Sequence, residues 1–339
     1  MLAVNNYEYA FVDLSYVLTR NLWMVTKDKS TGDMNPGDVL RLMIQSVRKW
    51  ARDYNIRPAK IIFIADEWSK EFGGYFTTYL LRQAGGDYKG SRKFVTEKVL
   101  EDLRSDPNTT SEELEKAERE YAVNKVKFAA KKIMKEEFSN LGIYYYSYPS
   151  WEYDQIASLA AFQRFKEGKK DVIITKDTDL MYSLTPLVDF FSIPKRGEDP
   201  KVITYDEMYS QIPEVLKNKG VSLYQYNAYL NALGKSHNDM SKSLRAGVDT
   251  TEAILHILDG DYSDLIDLDI FFAQMKSYDL SQYPGLSEVQ RAIAEDFGTK
   301  GRLATLEDFH KFCERNNVTG ISDKYFSDLI NSFDPRLFS

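Results

Sequence analysis

The sequence predicts an α/β protein with a mainly parallel central sheet flanked by helices, a long helical insertion, and a helical C-terminal region. Three observations predict it. Short β-branched and aromatic runs alternate with longer helical patterns. Acids recur just past the ends of those runs. The β runs cease from about residue 206. The runs are YAFVD (9–13), KIIFIAD (60–66), GIYYYSY (142–148), DVIITKD (171–177) and VDFFSI (188–193). Near-continuous apolar strands separated by helices belong to a parallel sheet covered on both faces.

In chain order, the first run closes at Asp13, and VLRLMIQSVRKWARDY (39–54) reads as the helix that follows it. The second run closes at Asp66. Residues 68–138 are then a long excursion between two strands. It opens on an aromatic and basic stretch, crosses the polar turn SDPNTTSEE (105–113), and ends in the helical pattern EELEKAEREYAVNKVKFAAKKIMKEEF (112–138). The third run leads into the helix YDQIASLAAFQRFKEG (153–168), and two more runs follow. Residues 206–339 read as helices punctuated by Gly and Asp, which places an α/β core at 1–205 and a second, helical region at 206–339. No internal repeat or low-complexity tract interrupts this order. Neither GxGxxG nor GxxxxGK[ST] occurs, so dinucleotide and P-loop sites have no support.

Composition narrows the chemistry. A chain of 339 residues, 43% hydrophobic and 28% charged, is that of an ordinary globular protein. No apolar run has the length of a membrane span, and MLAVNNYEYAFVDLS lacks the basic-then-apolar order of a secretory signal, so a cytoplasmic location is expected. Cys313 is the only cysteine and histidines number three, so neither a disulfide nor a Cys- or His-based zinc centre is expected. A metal here would be held by oxygen, which points to Mg²⁺ or Mn²⁺. The net charge of −7 looks wrong for a nucleic-acid binder, but neutralising the seven acids discussed below would bring it to zero.

Asp13, Asp66, Glu152, Asp154, Asp177 and Asp179 all follow predicted strands. Ligand sites in open parallel sheets lie outside the carboxyl ends of the strands. Carboxylates gathered there repel one another unless a cation neutralises them. Two divalent ions about 4 Å apart are a common solution, and they suit in-line attack on a phosphodiester. Each acid alone has a plainer explanation as a turn residue, an N-cap or a partner of the helix dipole. Their recurrence at four strand ends is harder to explain that way.

The segments FVDLS, FIADEW, WEYDQIA and ITKDTDL resemble, in order and spacing over roughly residues 9–195, the motifs of the flap-endonuclease or 5′–3′ exonuclease family, its phage 5′ nucleases of RNase H type in particular. Tyr88-Lys-Gly-Ser-Arg92 resembles the Y-K-x-x-R segment at the base of that family's helical arch. The resemblance implies a PIN-like 5′ nuclease core with an arch insertion at 68–138. It also implies a structure-selective 5′ nuclease that acts on 5′ flaps or RNA–DNA hybrids, including RNA primers, in replication or repair. Lys89 and Arg92 would then steer the scissile phosphate. Two departures stand out. Gln155 replaces the last acid of E-A-D-D. The G-D-x-x-D-N motif survives only as Gly234-Lys-Ser-His-Asn-Asp239, with Lys235 and Asn238 in place of acids and Asp239 one residue out of step. Asp239 joins the six strand-end acids as a candidate ligand, and the second of two ions is expected to be weakly held.

Basic groups cluster in the insertion. Lys127, Lys131 and Lys135 recur every four residues on one helix face, with Val126, Ala130 and Ile133 on another. Such a face is often only a solvated one, but over a metal site it would track a phosphate backbone. Arg82, Lys89, Arg92 and Lys93 interleave with Tyr75, Phe76, Tyr79 and Tyr88, a pattern that can stack single-stranded nucleic acid or simply belong to the core. Residues 223–260 read as helix, Gly-containing loop, helix, similar to the element with which the family grips duplex DNA, so Lys235, Ser236 and Lys242 are candidate phosphate contacts. Beyond residue 260 the chain is a helical cap or a surface for a replication partner such as a single-strand-binding protein or sliding clamp. Two rival readings remain: a PIN-like ribonuclease, which would lack the insertion, and a structure-specific DNA-binding protein that has lost turnover.

Overall fold

The computed structural model describes residues 5–27, 29–53, 56–83, 95–194, 198, 201–235, 242–261, 265–298 and 305–330. In chain order its elements are β1 (Asn5–Asp13), α1 (Leu14–Thr26), α2 (Pro36–Asp53), β2 (Ile56–Ile64), α3 (Phe76–Gln83), α4 (Glu97–Ser105), α5 (Ser111–Glu137), β3 (Ile143–Tyr146), α6 (Tyr153–Lys166), β4 (Asp171–Thr175), β5 (Val188–Ser192) and β6 (Lys201–Ile203). Helices alone follow: α7 (Tyr205–Tyr209), α8 (Glu214–Asn218), α9 (Leu223–Leu230), α10 (Thr250–Asp259), α11 (Leu268–Met275), α12 (Leu286–Ala294), α13 (Leu306–Arg315) and α14 (Asp323–Ile330).

Among the described residues the strands form a six-stranded, mostly parallel sheet in the order β3-β2-β1-β4-β5-β6. The α/β expectation therefore holds. β4 and β5 are parallel, from Asp171 opposite Val188 to Thr175 opposite Ser192. β6 pairs antiparallel with β5 and was not expected, because three residues are too few to show a period. α4 was also unexpected. Its sequence EKVLEDLRS buries only Leu100, so its apolar signal is thin.

Two compact units emerge from the packing. One comprises residues 1–63, 92–146 and 299–339; the other comprises 64–91 and 147–298. In the first unit, α5 packs against α1, α2 and α4. It starts at a capping box in which Thr110 accepts from the Glu113 N–H and the Glu113 carboxylate accepts from the Thr110 N–H. It buries Ala117, Val126, Ala130 and Met134, so the apolar stripe read from the sequence is a packing face. Arg119 of α5 donates to the carbonyls of Thr26, Lys27 and Lys29 at 2.6, 3.0 and 3.2 Å. One guanidinium thus satisfies carbonyls at and just past the end of α1 that have no helical partner. Phe63, Phe138 and Phe312 form a chain of edge contacts at 6.3 and 5.9 Å through this core.

In the second unit, Arg164 near the end of α6 binds Asp171 at the start of β4. Nε lies 2.7 Å from Oδ2 and Nη2 lies 3.1 Å from Oδ1. Arg164 is 2% exposed and Asp171 is fully buried. Trp151, ahead of α6, donates from its indole to the carbonyl of Pro284 at 2.8 Å and packs on Tyr283. α9 and α10 flank the Gly-containing loop as expected. α9 runs into a kinked turn at Asn231–Lys235, where Gly234 has φ 105°.

A buried charge that loses its partner is costly, so Arg164→Met should destabilise the protein by about 3–5 kcal/mol, whereas Arg164→Met with Asp171→Leu should recover most of that loss. Urea denaturation of the three proteins checks this; equal midpoints for the single and double variants would contradict it.

Candidate functional site

The acids are placed by the elements they follow. β2 ends at Ile64, and Asp66 lies two residues beyond. Its Oδ1 accepts the Tyr153 N–H at 2.8 Å, so Asp66 caps the first turn of α6 from a distant segment. Backbone bonds from Glu67 N to the Trp151 carbonyl and from Ser150 N to the Glu67 carbonyl, at 3.1 and 2.9 Å, hold the two segments together. Glu152 is the N-cap of α6 and is 7% exposed. Gln155, which replaces the family's last acid, accepts the Glu152 N–H at 3.2 Å. Asp154 sits in the first helical turn, where the helix dipole favours negative charge.

The later pair is arranged by a turn. Asp177 caps the 3₁₀ turn Thr178–Ser183 and accepts the Asp179 N–H at 3.0 Å. Ser158 of α6 and Ser183 of that turn share a buried hydrogen bond of 2.7 Å, which ties the two acid-bearing segments together. The plainer roles weighed for these residues are therefore real: Asp177 forms an Asx-type turn, and Asp66 and Glu152 serve a helix N-terminus. A carboxylate has further lone pairs to offer beyond one such bond.

Glu152, Asp154 and Asp179 line one pocket. Asp66 and Asp177 do not line it, and Asp13 lies in the other unit, where it caps α1 by accepting the Tyr16 N–H at 2.9 Å. Asp239 lies outside the described residues. Among the described residues no three acid, His or Cys side chains stand close enough together to cage a metal ion. The donor set nevertheless suits a hard divalent ion in kind: three carboxylates, with the carboxamides of Gln155, Asn227 and Asn231 and the hydroxyl of Ser158 around the same space.

Two phenols belong to this neighbourhood. Burial raises the pKa of Tyr224, which lines the pocket, and the charges of Asp279 and Asp154 raise it further. Its hydroxyl donates to the Tyr278 carbonyl at 3.0 Å. Burial likewise raises Tyr182, with Asp179 adding to the shift. Both remain neutral donors at ordinary pH.

Among the expected nucleic-acid contacts, Arg82 is exposed in the last turn of α3. On α5, Lys135 is exposed and Lys127 and Lys131 are half-buried. Lys242 is exposed at its residue, but its stem packs beside Gly234, where an added Cβ would stand 2.7 Å from Lys242 Cγ. Lys235 ends the kinked turn that follows α9. Tyr88, Lys89, Arg92, Lys93 and Ser236 lie outside the described residues. Of the interleaved aromatics, Phe76 packs against Phe72, Tyr79 and Tyr283 at 5.0, 5.8 and 5.1 Å, so its ring is part of a cluster and not an open stacking surface. Sequence reading missed Asn227 and Asn231. Their i, i+4 spacing in LYQYNAYLN was the available signal.

No family model matches this sequence, and no curated protein matches it. The structure is similar to that of the bacteriophage T5 5′-exonuclease. For the form of that enzyme with bound zinc, the TM-score is 0.48 at 16% identity, over 92% of this chain and 98% of that one. The bacteriophage T5 flap endonuclease in a pseudo-enzyme–product complex with DNA and metal ions gives 0.43 at 17% identity, over 97% and 99% of the two chains. The catalytic core of Rad2 in complex with DNA substrate gives 0.47 at 13%, over 97% and 93%. Likeness at these scores and identities says nothing by itself about activity.

The capping role of Asp66 can be separated from its charge. Asp66→Ala should lower stability by about 0.5–2 kcal/mol through loss of the acceptor at the α6 N-terminus, whereas Asp66→Asn keeps an acceptor oxygen and should cost less. Thermal or urea unfolding checks this; equal losses for both variants would mean that the charge, not the hydrogen bond, is what matters.

Proposed function

We propose that this chain is a divalent-metal-dependent nuclease that hydrolyses phosphodiesters near the 5′ ends of branched or RNA-primed DNA. The observation that carries the reading is the pocket where Glu152 and Asp154, from the start of α6, meet Asp179, from the turn after β4. Carboxylates from separate segments around one space repel each other and repel a phosphodiester. They make chemical sense when cations stand between them and the substrate. The motif order described above supports the 5′ nuclease class over other phosphodiesterases.

Glu152, Asp154 and Asp179 would hold Mg²⁺ or Mn²⁺, with Asp13, Asp66, Asp177 and Asp239 contributing directly or through water. When bound, the ions would lower the pKa of a water and stabilise the leaving oxygen. The chain's own groups do the rest. Lys89 and Arg92 would orient the scissile phosphate and offset its charge. Lys127, Lys131 and Lys135, with Arg82, Tyr88, Lys93, Lys235, Ser236 and Lys242, would hold the nucleic-acid backbone without reading sequence. One ion would be held weakly, because the sequence has Lys235 and Asn238 where the resembled motif has two acids. That replacement also favours a second reading, a structure-specific DNA-binding protein without turnover.

A labelled 5′ flap, incubated with and without Mg²⁺, separates the two readings. Cleavage that requires the ion is expected; binding without cleavage at any Mg²⁺ or Mn²⁺ concentration would leave only the second. Asp179→Asn should reduce cleavage by about 100-fold or more while flap affinity holds or rises, since the change removes a ligand and a repulsive charge together. Replacing Lys127, Lys131 and Lys135 by Ala should flatten the salt dependence of binding by roughly 2–3 in the log–log slope. An unchanged slope would return that face to ordinary solvation.

A further inference from the structure

α9 walls the pocket as well, and two of its carboxamides, Asn227 and Asn231, line the same space as Glu152, Asp154 and Asp179. The helix is fixed there by its packing on the turn Thr178–Ser183 that carries Asp179. Asn227 is 7% exposed, and Asn231 Nδ2 donates to Asn227 Oδ1 at 3.0 Å. The nitrogen of Asn231 makes that bond, so its carbonyl oxygen is not spent on Asn227.

Asn231 is also where α9 ends and the kinked turn Asn231–Lys235 begins. The kink lies at Gly234, whose φ of 105° and close approach to Lys242 leave no room for a side chain. The turn thus begins on the residue that meets the pocket and leads directly to Lys235, one of the two positions where acids are missing.

Opposite three carboxylates, the residue type matters. A lysine would pair with the acids and take a cation's place. An apolar side chain would offer a cation nothing. A carboxamide oxygen is an uncharged ligand that hard divalent ions accept, and it binds them more weakly than a carboxylate does. We propose that Asn231, oriented by Asn227, is the neutral oxygen ligand of the weakly held ion, directly or through one water, in place of the acids absent at Lys235 and Asn238. The proposal rests on the reading of this pocket as a metal centre.

Mn²⁺ titration of the full chain, followed by electron paramagnetic resonance without nucleic acid, tests it. The wild-type protein is expected to show a tight and a weak class of site. Asn231→Ala should weaken the weak class by about 10–100-fold and leave the tight class unchanged. Asn231→Asp, nearly isosteric and informative even if the alanine variant folds poorly, should tighten the weak class about 10-fold by adding a charged ligand. Asn227→Ala should weaken it less than Asn231→Ala. If both Asn231 variants keep the weak class within about twofold of wild type while Asp179→Asn impairs Mn²⁺ binding, the role of Asn231 is overturned and the metal centre stands. If Asp179→Asn and Glu152→Gln also leave Mn²⁺ binding unchanged, the metal centre falls with it. A single class of site in the wild-type protein likewise overturns the proposal.

Discussion

The buried ion pair between Arg164 and Asp171 is the interaction on which the alignment of α6 with β4 depends. Glu152, Asp154 and Asp179 line one pocket at the other end of the same two segments. The ion pair lies away from the acids. Arg164 and Asp171 form a buried, two-toothed ion pair between the end of α6 and the start of β4, opposite the ends from which the acids project. The Ser158–Ser183 hydrogen bond closes the same two segments nearer the pocket. A buried ion pair is weak evidence for stability, but its geometry is specific, and here it fixes the alignment of a helix with a strand.

The acids also carry structural duties. Asp66 caps α6, Asp177 caps the turn that presents Asp179, and Glu152 begins the helix that presents Asp154. Each spends one lone pair on a backbone N–H and is oriented by doing so. A ligand held by a hydrogen bond loses less entropy when a cation arrives, much as outer hydrogen bonds orient the ligands of metal sites generally. In the proposed metal centre, capping and metal binding would be successive uses of one carboxylate and need not compete.

Much of this was legible in the sequence because it depends on short-range pattern. β-branched runs fix the strands, and the acids at positions 13, 66, 177 and 179 are found by reading where the runs stop. The unread part depends on contacts distant in sequence. β6 is a three-residue strand that exists only because β5 offers it an edge. Gln155 reads as a missing acid, and only the folded helix start reveals it as the acceptor for the Glu152 N–H. Phe76 reads as a possible stacking platform until Tyr283, more than two hundred residues on, packs against it. Asn227 and Asn231 belong to a helix that the sequence assigns to duplex binding, and their i, i+4 spacing says only that they share a face, not what that face meets.

The net charge of −7 follows the same logic. A protein that used its surface potential alone to find a polyanion would carry the opposite sign. Acids lining a pocket act at short range, and screening limits their reach to roughly 8–10 Å at physiological salt. The lysines of α5 recur every fourth residue beside the face packed into the first unit at Val126, Ala130 and Met134; Lys135 is exposed and Lys127 and Lys131 are half-buried. A chain acidic in total can still present a local basic row, because within a Debye length the placement of charges decides what a phosphate meets.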